Sequence, residues 1–249
     1  GEPYLLLGYS ACWAAQGGME QVKAGTFVRP NRHVGQAVNT FMVPERLDDW
    51  DNFVAEVMRG AADDVSGWIL WDSPDSTGPM QFPPDKLLPF LKSADKWRRI
   101  YGKNKPVYLG GLGRETALTY LQELGKAGGL DFMTGVNVRL DVGRLSPEDA
   151  GVVAYTRDLR AVLNPPGTKQ PRTILFTDLD WAVERDLGGL DAFDQAAYLA
   201  RAALLVDGPD VRSVLELRNT DYARLGLGLA YQRVVSVPPL TEKPAAYQF

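Results

Sequence analysis

Apolar residues come along this chain in short runs, separated by stretches in which they recur every three or four positions. Strands are predicted over Tyr4–Ser10, Gly67–Trp71, Pro106–Leu109, Leu130–Val138, Arg172–Thr177 and Arg212–Leu217, the later ones interrupted by polar residues. Tyr4–Ser10, the continuous apolar run, reads as a strand buried on both faces, as in a parallel sheet. The intervening stretches predict helices. Asp48–Gly60 places Trp50, Phe53, Val54 and Val57 on one face. Pro83-Pro84-Asp85 opens a helix to Tyr101, and another covers Arg114–Leu124. Ser146-Pro147-Glu148-Asp149 predicts a helix start, with a Ser cap, Pro at the first helical position and acids in the first turn. That helix ends near Asn164-Pro165-Pro166-Gly167. Asp191–Val206 carries Phe193, Ala196, Ala197, Ala200, Ala203 and Leu204 at helical spacing. Residues 16–45 form a long polar connection, a length that is usually functional or disordered. Gly226–Val237 predicts a hairpin, and Thr241–Phe249 the first turn of a last helix.

Strand and helix thus alternate without a long linker, a repeat or a low-complexity tract. That predicts a parallel sheet covered by helices, in one domain over residues 1–249. An open doubly wound sheet and a barrel both fit. There are about six βα units, against the eight of a closed barrel.

Composition narrows the function classes. The chain has 249 residues, 45% hydrophobic, and a net charge of −4. It has no charge attraction for nucleic acid or anionic lipid. No run of about 18 apolar residues exists, so no membrane span is expected. Cys12 is the only cysteine and His33 the only histidine. A structural zinc site, which takes four such ligands, is not expected, and neither a metal nor a cofactor is. His33 lies in a polar stretch, where a surface role suits it better than general-base work. The beginning, Gly1-Glu2-Pro3-Tyr4, lacks the initiator Met and the features of a signal peptide, so processing or a longer parent chain is expected.

Parallel α/β proteins place their chemistry at the carboxyl ends of strands. Here those ends carry Ser10 and Trp13; Asp72, Ser73 and Asp75; Asn137 and Arg139; Thr177, Asp178 and Asp180; and Glu216, Arg218, Asn219 and Asp221. Pairs of carboxyls cleave glycosidic bonds, at roughly 5–5.5 Å apart for retention or about 6.5–9.5 Å for inversion. Trp13, Trp71 and Trp181 offer flat faces for sugar rings. Equally, Asp and Ser after a strand cap the next helix, and Trp fills core. Gly110-Gly111-Leu112-Gly113 after a strand suggests a phosphate cradle in a nucleotide-binding α/β protein. The dinucleotide fingerprint lacks its third glycine, because Thr116 stands there, and a tight βα turn explains the segment as well.

Several of these segments, in order, resemble clan A glycoside hydrolase barrels, most of all family 39, the xylosidase and iduronidase type. Leu5-Leu6-Leu7-Gly8-Tyr9-Ser10-Ala11-Cys12-Trp13 resembles its third strand, with the Gly-Tyr-x-x-x-Trp ending, and Trp50-Asp51-Asn52-Phe53-Val54 the helix that follows. Trp68-Ile69-Leu70-Trp71-Asp72-Ser73-Pro74-Asp75 resembles the fourth-strand motif Trp-Glu-x-Trp-Asn-Glu-Pro-Asn, and Thr177-Asp178-Leu179-Asp180-Trp181 the seventh-strand Thr-Glu-x-Gly-Trp. Gln195-Ala196-Ala197-Tyr198-Leu199-Ala200-Arg201 resembles the next helix. Leu225-Gly226-Leu227 and Lys243-Pro244-Ala245-Ala246-Tyr247 resemble the closing elements.

The resemblance implies a TIM-type (β/α)8 barrel of which this chain supplies strands three to eight. Completion by an upstream segment or a second chain is then expected, since open edges leave backbone groups unpaired. The resemblance also implies where chemistry has changed. Ser73 occupies the acid/base position, and a hydroxyl cannot protonate a leaving oxygen near neutral pH as a tuned carboxylic acid does. Asp178 occupies the nucleophile position, one methylene short, a displacement of about an ångström that can cost around a hundredfold in rate. Glu216 and Leu217 replace an aromatic pair. Asp72 could take over as acid, although adjacent strand residues point to opposite sides. The expectation is therefore a catalytically degenerate, extracytoplasmic domain that binds a glycan or serves as a structural subunit. Its candidate ligand-facing residues are Trp13, Trp71, Asn137, Trp181, Glu216 and Asp221. The alternative is a retaining hydrolase that uses Asp178 and Asp72.

Overall fold

Tyr4–Leu7 (β1) lies parallel to Gly67–Leu70 (β2), with Leu7 opposite Leu70, and β2 lies parallel to Val107–Gly113 (β3), with Trp68 opposite Val107. These pairings come from a computed structural model that describes residues 3–8, 14, 43–76, 81–142, 144–181, 190, 192–208, 210–213, 230–231 and 241–242. The chain divides into two compact units, Gly1–Asn137 and Val138–Phe249.

In the first unit the three strands follow one another in chain order without reversal. Trp68, Ile69 and Leu70 are all buried, as the unbroken apolar run requires. Leu47–Ala61 (α1) and Pro84–Ile100 (α2) connect them and pack on each other. The inward stripe of α1 is Trp50, Val54, Ala55 and Met58, whereas Phe53, expected on that stripe, is exposed. Polar ties join these helices: Trp50 Nε1 donates to the Phe90 carbonyl at 3.2 Å, Ser93 Oγ donates to Asp51 at 2.7 Å, and Lys96 Nζ donates to the same carboxylate at 3.4 Å. The Ser93, Trp97 and Lys96 side chains hold the Asp51 carboxyl below the usual range, against the opposing effect of partial burial. After β3 come Ala117–Lys126 (α3) and a 3₁₀ turn, Gly129–Phe132. That turn replaces the first residues of the strand expected from Leu130. Gly128 ends α3 in the left-handed region at φ 77°, the 3₁₀ turn buries Leu130, and the strand begins only at Gly135.

The strand Gly135–Asp141 (β4) begins in the first unit and ends in the second. The second unit continues with Val152–Leu163 (α4), Thr173–Asp180 (β5), Ala192–Val206 (α5) and Val211–Ser213 (β6). β5 and β6 are parallel, with Ile174 opposite Val211. Ser146 does cap, as its sequence suggests, accepting from the Asp149 N–H at 3.1 Å. What it caps is a separate turn. Gly151, at φ 66°, breaks the helical path, so α4 starts at Val152. Ile174, Leu175 and Phe176 of β5 are fully buried, as are Leu159 and Leu163 of α4. Arg160 on α4 grips Asp210, just before β6, with Nε 2.8 Å from the carboxylate.

Near the carboxyl terminus Ala230–Tyr231 (β7) pairs antiparallel with Thr241–Glu242 (β8). Thr241 and Glu242 are thus extended rather than in the expected helical turn. Ladder pairing satisfies their backbone groups without the four-residue run a helix needs.

Candidate functional site

β2 ends in an unusual way. The Trp71 N–H still donates to the Leu7 carbonyl at 2.7 Å, continuing the ladder. Trp71 and Ser73 then both adopt left-handed backbone conformations, at φ 61° and 50°. For L-residues that costs roughly 1–2 kcal/mol each, so neighbouring contacts must hold them there. The Trp71 ring supplies one such contact. It sits edge-on to Trp50 at 6.2 Å and to Phe82 at 5.3 Å, and is 3% exposed. The ring expected to face a sugar is therefore enclosed by protein.

The polar groups that follow are engaged with the next strand. Ser73 is 3% exposed, and its hydroxyl donates to Asp72 Oδ1 at 3.1 Å. The same Asp72 oxygen lies so close over Gly111 that a methyl group there would overlap it. Asp75 accepts from the Gly113 N–H at 2.8 Å and from the Thr116 hydroxyl. Tyr120 on α3 donates its hydroxyl to the Phe82 carbonyl. Burial first, and the Asp75 charge second, push that phenol well above its ordinary value.

These contacts revise the glycine-rich segment. Gly110 to Gly113 lie inside β3, not in a turn after it, and α3 starts only at Ala117. A side chain at Gly110 would run into Ile69 and the Trp71 carbonyl, and Gly111 adopts φ 64° under Asp72. Close approach of the β2 end, rather than a phosphate, accounts for these glycines. Tyr120 escaped notice in the sequence, where Thr116 figures only as the residue in place of a third glycine. The one available signal was Thr116 at the helix start, where its hydroxyl makes no cap to the α3 backbone and turns to Asp75 instead.

In the second unit, Asp178 and Asp180 belong to β5 itself, which continues three residues beyond the expected end at Thr177. Trp181 follows directly and is 1% exposed. Its Nε1 donates to the Leu145 carbonyl at 3.0 Å, its ring meets Tyr198 edge-on at 5.7 Å, and its carbonyl accepts from the Gln195 side chain. It too is packed into protein. Asn137 lies in β4 and is buried. Trp13, Glu216 and Asp221, together with Cys12 and His33, lie outside the described residues. Among the described residues no three His, Cys, Asp or Glu side chains gather in a way that could hold a metal, and no helix is long and apolar enough to cross a membrane.

The parallel α/β scaffold, taken as a fold, is similar to that of known barrels. The chain is similar to a family 39 glycoside hydrolase from the gut symbiont Bacteroides cellulosilyticus WH2, with a TM-score of 0.65 at 17% identity, over 98% of this chain and 48% of that one. It is also similar to the family 1 β-glucosidase from Thermotoga maritima in complex with isofagomine lactam, with a TM-score of 0.54 at 13% identity, over 99% of this chain and 72% of that one. The chain thus has the fold of the TIM-barrel glycoside hydrolases, in part, and spans about half the length of the family 39 enzyme. No protein-family profile and no curated protein matches its sequence.

Proposed function

We propose that this chain is a glycoside-hydrolase-type barrel region that has lost its acid/base and now binds a glycan or serves as a structural subunit outside the cytoplasm. One observation carries the proposal. At the end of β2, where the resemblance implies a proton-donating glutamate, Ser73 is buried and donates to Asp72, and Asp72 in turn is lodged over Gly111 of β3. A general acid must reach the leaving oxygen of a substrate. Ser73 has no such proton to give, and the nearest carboxylate contacts the neighbouring strand.

The same fold with altered strand ends supports a binding or scaffolding role, since function resides in sites rather than folds. Asp178 is the one family carboxylate position that keeps an acid. β1 has β2 on one side and no strand on the other among the described residues, which supports completion of the barrel by further chain, either its own or a partner's.

The test is a panel of immobilised β-glycans and polysaccharides presented to the full-length protein, with aryl β-glycoside turnover measured alongside. Saturable binding without turnover supports the glycan-binding form, and neither activity supports the scaffold form. Turnover abolished by Asp178→Asn would establish the hydrolase alternative and remove the proposal.

A further inference from the structure

We draw no further inference here: the strongest candidate, the left-handed turn at the end of β2 in which Trp71 and Ser73 hold Asp72 over Gly111, belongs to the site already described.

Discussion

The Asp75 carboxylate, beyond the end of β2, accepts the backbone N–H of Gly113 at the end of β3, at 2.8 Å. It also takes the Thr116 hydroxyl. One side chain therefore fixes where the third strand stops and how the chain turns toward α3. Asp75→Ala removes a charged acceptor from two donors, which costs about 2 kcal/mol. The expected outcome is a thermal midpoint lowered by several degrees, with Thr116→Val showing a smaller drop. If Asp75→Ala melts like the wild type, this tie contributes nothing.

Gly111 carries two constraints that a double-mutant cycle separates. Its φ of 64° disfavours any L-residue by roughly 1–2 kcal/mol, and Asp72 fills the space a methyl would need. Gly111→Ala is expected to destabilise by about 3 kcal/mol, of which the steric part disappears in the Gly111→Ala, Asp72→Ala double variant. Chemical denaturation of the four proteins measures the coupling. Strict additivity would show that Asp72 does not rest on Gly111.

Tyr120 predicts an alkaline limit. Its phenol titrates at a higher pH in the folded chain than the ordinary value of 10.0. The folded state thus keeps a proton that the unfolded state releases. The stabilisation is complete below about pH 10 and falls as pH rises above it, toward the folded value. Tyr120→Phe leaves the Phe82 carbonyl without its donor and lowers stability at pH 7 by about 1 kcal/mol. Between about pH 9.5 and 11 its thermal midpoint is expected to decline less steeply than that of the wild type. Parallel declines would contradict the assignment.

The parallel α/β architecture was legible because fully buried strands give unbroken apolar runs, and Trp68-Ile69-Leu70 is such a run. The helix faces were only partly so: Phe53, Phe193 and Leu204, each read on an apolar stripe, are exposed, because a stripe wider than the packed face admits residues that packing leaves outside. Boundaries failed where a single glycine decides. Gly128 and Gly151 each bend the chain at positive φ, and periodicity carries no trace of that. The site was legible in its positions and not in its contacts. That Asp72 and Ser73 terminate a strand follows from the apolar run before them. That Trp71 turns its ring to Trp50 and Phe82, and that Asp72 leans over Gly111, depends on left-handed backbone at Trp71 and Ser73 that these residue types do not announce.

That backbone also makes repair of the site difficult. Ser73→Glu would restore the family's acid in name, but in a buried position at φ 50° with Asp72 3.1 Å from the present hydroxyl. Two adjacent carboxyls there repel, and one stays protonated or the turn opens. The expected outcome is a destabilised protein with no gain in aryl glycoside turnover. Thermal melting beside a glycosidase assay checks both parts.

Steady-state turnover of aryl β-glycosides by the full-length wild-type protein, beside Asp178→Asn and Asp72→Asn, is the most direct test of the loss of catalysis. The account predicts that wild-type release of the aryl group stays at the rate of the buffer alone and that neither substitution changes it. Release above that background that either variant abolishes would contradict the account, because a carboxylate at one of those positions would then be carrying out the chemistry.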